Sequence, residues 1–246
     1  MMKNIKITVG YDGTNYQGWQ YQKHTNKTIQ QVLEDELTRL NKSKVKVYGA
    51  GRTDSGVHAL GQIANFYLEV PVPVERIPIA LNSMLPDDIV CKKAEKVPDD
   101  FHARYDAEGK KYRYRILNKS IHSVFTRNYV YTFYQKLNTF KMEKALKDFK
   151  GEHDFSAFSS SGSDVKNTVR KIEDIVMKKQ GEEIWLEIKG EGFLYNMVRI
   201  IVGTLLDIGI GKIPVDDIPR IIASKNRREA GFTAPAKGLT LVEVYY

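Results

Sequence analysis

Cysteine is almost absent. Cys91 is the only one in 246 residues, so no internal disulfide can staple the fold and a reducing, cytoplasmic setting is expected. The opening segment MMKNIKITVGYDG has neither the apolar run nor the small-residue cleavage site of a secretory leader. Long hydrophobic runs are also missing: the best candidate, 193–210, is interrupted by Asn196, Arg199 and Asp207, whereas a membrane helix needs roughly 20 apolar residues in succession. No GxGxxG or Walker segment is present, which argues against a doubly wound nucleotide-binding fold. His58, His102 and His153 fall on separate segments, with Asp154 beside the last. They lack HxxxH spacing or a cysteine partner, so no metal site is expected.

What is present is an ordinary globular composition, 42% hydrophobic, with enough length for one large domain or two of about 120 residues. Lys and Arg number 38 against 30 acidic residues, a net charge of +8 with a pI near 9.3. That balance favours a polyanionic partner. Cations and rings interleave at Lys110, Lys111, Tyr112, Arg113, Tyr114 and Arg115, a pattern in which cations can hold phosphates while rings stack on bases. It is equally the pattern of a two-faced strand, with Tyr112 and Tyr114 on one side and the cations on the other. Lys42, Lys44 and Lys46 form a further basic cluster, as do Lys225, Arg227 and Arg228. Each is compatible with a phosphate track or with a solvated charged face.

The periodicity predicts mixed secondary structure. Ile5, Ile7 and Val9 alternate as a strand ending at Asp12 and Gly13. Thr28 and Gln31 have capping-box spacing before a helix with Ile29, Val32, Leu33, Leu37 and Leu40 on one face. A short strand at 45–48 leads into GAGRTDSGVHALGQ (49–62), after which Ala64, Phe66, Leu68 and Val70 alternate. That places the glycine-bearing segment on a loop between two strands. Helices are expected at 74–84, 139–149 and 194–206. Strands are expected at 89–97, 110–117 and 239–245, with a hairpin of 169–177 and 184–188 turning near Gln180 and Gly181. Hairpins with helices between them indicate an α+β protein with a largely antiparallel sheet. Similar groups of elements in both halves suggest two subdomains, 1–107 and 108–246.

In the loop, Arg52, Thr53 and Asp54 put a carboxylate two residues after a guanidinium, with Gly49, Gly51 and Gly56 close by. Such a backbone can hold a reactive group, although an isolated Asp-Ser-Gly is usually an Asx turn. The longer segment, with YDGTNYQGWQ (11–20) upstream, resembles the TruA family of tRNA pseudouridine synthases, whose signature loop has Arg-Thr-Asp followed by Gly-Val-His. The resemblance continues in FHARYDAEGKKYRYRI (101–116), GEHDFSAFS (151–159), GEGFLYNMVRIIVG (190–203) and AGFTAPAKGL (230–239). Ser55 stands where alanine is common in the family; both are small.

The resemblance implies a pseudouridine synthase fold in which two similar subdomains form a central RNA-binding cleft. It implies isomerisation of uridine to pseudouridine at positions 38, 39 and 40 of the tRNA anticodon stem-loop. No cofactor is required, and the enzyme is a homodimer. The C1′–N1 bond breaks, the uracil rotates, and C5 joins C1′. A carboxylate suits that chemistry because cleavage builds positive charge at C1′. By resemblance, Asp54 is that carboxylate and either adds to C1′ or removes the 2′ hydrogen. Arg199 is its counter-charge, Tyr112 lies against the target base, and Arg52 helps hold the nucleotide outside the stack. Arg199 could instead be a snorkelling side chain on an apolar helix, and Tyr112 a packing residue of its strand. An RNA-binding module without catalysis would have no need of Asp54, and a glycosidase would need a second acid that this loop lacks.

Overall fold

The computed structural model describes residues 2–162 and 167–246. Strand β1 (Lys3–Tyr11) buries Ile5, Ile7 and Val9, the three alternating residues. Helix α1 (Ile29–Asn41) starts where Thr28 accepts a bond from the Gln31 backbone N–H at 3.3 Å, supplying an acceptor that the helix end lacks. Only half of the capping box forms, because the Gln31 side chain turns to Asp35 at 2.6 Å. Ile29, Leu33 and Leu37 are buried, and Lys42 ends the helix in a left-handed conformation. Strand β2 is just Tyr48–Gly49, shorter than predicted, and β3 is His58–Leu68. Helix α2 (Ile77–Asn82) follows a 3-10 turn at Val74–Arg76 and precedes β4 (Ile89–Lys96).

Beyond these come β5 (Gly109–Asn118), β6 (Tyr131–Phe133), α3 (Thr139–Leu146), β7 (Gly151–Asp154), β8 (Val169–Gln180) and β9 (Glu183–Gly190). Then follow α4 (Met197–Gly209), α5 (Ile218–Ser224) and β10 (Leu239–Tyr245). The hairpin β8–β9 turns at Gly181, which has a φ of 60°. Helix α4 begins three residues later than its apolar pattern predicts. Asn196 takes a φ of 61°, left-handed, which a continuing helix cannot contain and which Asn tolerates better than most residues.

The chain divides into two units, Met1–Glu108 with Thr240–Tyr246, and Gly109–Leu239. In the first, the strand order is β4-β1-β3-β10, with β2 on β3. These pairings are antiparallel except β3 with β10, where Thr240 lies opposite His58 in parallel. In the second the order is β5-β9-β8-β7, all antiparallel, with β6 parallel to β5. This is an α+β fold with a largely antiparallel sheet. No helix among the described residues is long and apolar enough to cross a membrane.

The interleaved segment 110–115 is a two-faced strand. Tyr112, Tyr114 and Ile116 are buried, while Lys111, Arg113 and Arg115 line the opposite face of β5. These cations are engaged by carboxylates, not left for phosphates. Arg113 donates twice to Glu187 at 2.8 and 2.6 Å, and Lys111 and Lys178 reach the same carboxylate at 3.1 and 3.2 Å. Arg115 forms a two-pronged pair with Glu183, and Trp185 lies 4.4 Å from the Arg113 guanidinium. Burial pushes the Glu187 carboxyl up, but bonds from Arg113, Lys111 and Lys178 outweigh that and hold it at about 2, against an ordinary 4.5.

A carboxyl depressed in the folded state adds stability above its unfolded pKa and loses it as pH falls through the folded one. Glu187→Gln is therefore expected to be less stable than the parent at pH 7 by about 1–3 kcal/mol. Urea unfolding at several pH values should show the gap narrowing between 4.5 and about 2.

Candidate active site

The Asp54 loop, residues 50–57, joins β2 to β3 and is tied down almost residue by residue. Ala50 N–H donates to the Ile63 carbonyl at 2.8 Å, and the Gln62 amide donates to the Gly51 carbonyl at 2.9 Å. The Thr53 carbonyl accepts from Trp19 N–H at 3.0 Å, and its hydroxyl meets the Tyr11 hydroxyl at 2.8 Å. Ser55 Oγ and Gly56 N–H both bond to the Tyr16 carbonyl. Burial pushes the Tyr11 phenol well above its ordinary pKa, so this contact is a neutral hydrogen bond inside the core. Tyr11 reaches it because β1 and β3 slip register between Val9 and Tyr11, a bulge that re-aims the end of the strand.

Asp54 itself is half-buried, and its carbonyl accepts from Val57 N–H at 3.1 Å across a turn. This is a backbone β-turn, closed by main-chain atoms of Asp54 and Val57. Arg52 is exposed and, among the described residues, shares no hydrogen bond or ion pair. The segments 11–20 and 49–62 meet at Tyr11 with Thr53, Gly13 with His58, Tyr16 with Gly56 and Trp19 with Thr53. Gly18 shows why a glycine is needed: it has a φ of 87°, and a Cβ there would lie 2.6 Å from the Thr53 carbonyl oxygen.

In the second unit, Arg199 on α4 donates from Nε to the Ala234 carbonyl and from Nη1 to the Asn196 side chain, each at 2.7 Å. The Ala234 N–H returns a bond to the Arg199 carbonyl at 3.1 Å. Asn196 donates in turn to Ser160 Oγ at 3.0 Å. Two stretches that resemble the family, 190–203 and 230–239, therefore meet at this guanidinium, with Ser160 behind Asn196. Their close approach depends on Gly203, where a Cβ would lie 1.7 Å from the Phe232 carbonyl oxygen. A half-buried guanidinium clamped on two edges is held in one direction, unlike a snorkelling side chain. Tyr112 on β5 is 7% exposed and packs edge-on to Phe193, ring centres 5.2 Å apart.

Sequence reasoning assigned no role to Tyr11, Thr53 or Asn196: Tyr11 and Thr53 meet across 42 residues, and Asn196, although close to Arg199 in the chain, is placed by its left-handed backbone. The histidines have separate surroundings. Gly13 N–H donates to His58, His102 packs at a tilt against two tyrosines, and His153 sits on the Lys150 carbonyl. No cluster of metal-binding side chains occurs among the described residues. Lys225 pairs with Asp154 at 2.9 Å, and Arg227 bonds to the Gly231 carbonyl and Thr233 hydroxyl, so two cations of that basic cluster serve the fold.

A family profile described as tRNA pseudouridine synthase matches residues 7–106 and 145–246. The chain belongs to that family, whose members are isomerases. Among individual relatives, it is 54% identical over 245 residues to tRNA pseudouridine synthase A of Acetivibrio thermocellus, and 50% identical over 246 residues to that of Ruminiclostridium cellulolyticum. A third, tRNA pseudouridine synthase A of Thermoanaerobacter sp., is 49% identical over 245 residues. All three alignments cover 100% of both chains.

Gly18→Ala tests the wedge beneath the loop. It is expected to lower stability by about 2 kcal/mol or more, because alanine is strained at positive φ and collides with the Thr53 backbone. Denaturant unfolding measures the first effect, and a fall in pseudouridine formation alongside it reports displacement of Asp54.

Proposed function

We propose that this chain isomerises uridine to pseudouridine at positions 38, 39 and 40 in the anticodon stem-loop of tRNAs, with Asp54 as its reacting carboxylate. The observation that carries the reading is the Asp54 loop, anchored through Ala50, Gly51, Thr53, Ser55 and Gly56 in a chain of this family. A carboxylate held in place needs no reorganisation when positive charge develops at C1′, and that is where its rate advantage arises. It either bonds to C1′ as N1 departs or removes the 2′ hydrogen. The freed uracil then turns, C5 joins C1′, and the C5 proton is lost.

The other roles follow from the family likeness. Arg199 is the counter-charge that keeps Asp54 ionised, supported by a guanidinium already oriented by Asn196 and Ala234. Tyr112 places its ring against the target base, and the exposed Arg52 engages the nucleotide or its phosphate. Asp54 and Arg52 lie in the unit formed by Met1–Glu108 with Thr240–Tyr246, and Tyr112 and Arg199 in Gly109–Leu239. A cytoplasmic location is supported by the single cysteine, Cys91. A homodimer suits an enzyme that must grip a long L-shaped RNA while reacting at one arm.

Asp54→Asn is expected to lower single-turnover pseudouridine formation on an anticodon-arm transcript by on the order of 10³-fold or more while RNA affinity persists. Parent-like turnover in that variant would overturn the assignment. In the same assay Arg199→Leu should be strongly impaired, and Arg199→Lys should retain more because it keeps the charge but loses the planar fork. Equal loss in both Arg199 variants would argue against a charge role.

A further inference from the structure

The turn 101–106 receives more structural support than its surface position requires. The Phe101 carbonyl accepts from the side-chain amides of Asn4 and Asn65, at 2.9 and 3.3 Å. Asn65 also accepts from Ala103 N–H at 2.9 Å and donates to Asn4 at 3.0 Å. Asn4 and Asn65 are 0% and 1% exposed, so this is a buried amide pair spent on a loop. The Tyr246 hydroxyl donates to the Ala103 carbonyl at 2.7 Å. Asp106 accepts from His102 N–H, and the Tyr105 and Asp106 N–H groups donate to the His102 carbonyl.

This rigid turn displays rings to solvent. Tyr105 is 75% exposed, its ring centre 4.3 Å from that of His102, and His102 lies 5.1 Å from Tyr48. The Arg104 N–H bonds to His102 Nδ1 at 3.1 Å and fixes the middle ring. Cations close both ends of the row: the Lys46 ammonium lies 5.1 Å from the Tyr48 ring centre, and the Arg104 guanidinium 5.8 Å from that of Tyr105. Lys44, Lys46 and Tyr48 also line a groove of about 190 Å³. Tyr48 opens β2, the strand that enters the Asp54 loop.

We propose that Tyr48, His102 and Tyr105 form a stacking platform for an unpaired nucleobase of the RNA substrate, with Lys46 and Arg104 on the flanking phosphates. Ring faces accept any base, and cations at both ends match a strand that carries one phosphate per nucleotide. Protein interfaces surround an apolar core with a polar rim and are depleted in lysine, whereas here Lys46 sits directly against the Tyr48 ring. Pre-setting the rings with buried amides removes the entropy cost of ordering them on binding. The proposal rests on the reading of the chain as an enzyme of tRNA, and it assigns part of that RNA's grip to a surface apart from Asp54.

The test titrates full-length protein with an anticodon-arm transcript and follows pseudouridine formation in parallel. Tyr105→Ala and His102→Ala should each weaken affinity about five- to a hundredfold, with KM rising far more than kcat falls. Tyr105→Phe should restore binding. Tryptophan placed by Tyr105→Trp should lose fluorescence when RNA is added, beyond the change seen in the parent protein. Affinity within about twofold of the parent in Tyr105→Ala, a loss confined to kcat, or an unquenched Tyr105→Trp would each overturn the platform. Absence of pseudouridine formation by the parent protein would defeat the functional reading instead, and the binding and quenching results would still decide the platform.

Discussion

The buried hydrogen bond between Thr53 and Tyr11 is the contact on which the placement of the Asp54 loop depends. Loops ordinarily run over the surface and move more than the elements they join. This one has a core anchor one residue before its carboxylate. Removing either hydroxyl would take a partner from a buried polar group, a loss that costs more than the bond itself contributes. Around it the Trp19 N–H and the Tyr16 carbonyl take up further loop groups. The segment 11–20 is therefore a mould for the loop, and a change in it alters Asp54 without touching it.

The second unit uses a different device for the same end. Arg199 is oriented by the Ala234 carbonyl and the Asn196 side-chain oxygen, which take its Nε and Nη1. On the outer face of β5 the cations join two strands. Arg113 and Arg115 meet carboxylates on β9, and their charge is spent within the sheet. Arg113 and Arg115 thus tie two strands together, and Arg199 ties the start of α4 to the segment around Ala234. Net charge alone does not make this distinction.

Local signals were legible in the sequence. Thr28 and the apolar repeat defined α1, alternation defined β1, and Gln180–Gly181 marked the hairpin of β8 and β9, because each depends on neighbours a few residues apart. The loop carrying Asp54 was expected between two strands, and β2 and β3 flank it. Features set by distant partners were not legible. Strand β6 has three residues and gains its identity from β5, and α4 starts late because Asn196 turns left-handed. The cations of 110–115 looked available until β9 supplied Glu183 and Glu187. Asp54, Arg52, Tyr112 and Arg199 came from the family resemblance. Thr53 and Tyr11 emerged only once their long-range pairing was known, and Asn196 once its left-handed backbone was.

Thr240–Tyr246 belong with a unit whose other residues end at Glu108. Strand β10 pairs with β3, and Glu108 N–H donates to the Tyr245 carbonyl. On a ribosome that adds residues from the N-terminus, all of Gly109–Leu239 is synthesised before this sheet can receive its last strand. The earlier-made unit is consequently the later one to close, and during that interval β3 offers an unpaired edge to any other strand that reaches it. The long separation between β3 and β10 raises the loop-closure cost of that pairing and slows it. The order of translation thus runs opposite to the order of completion.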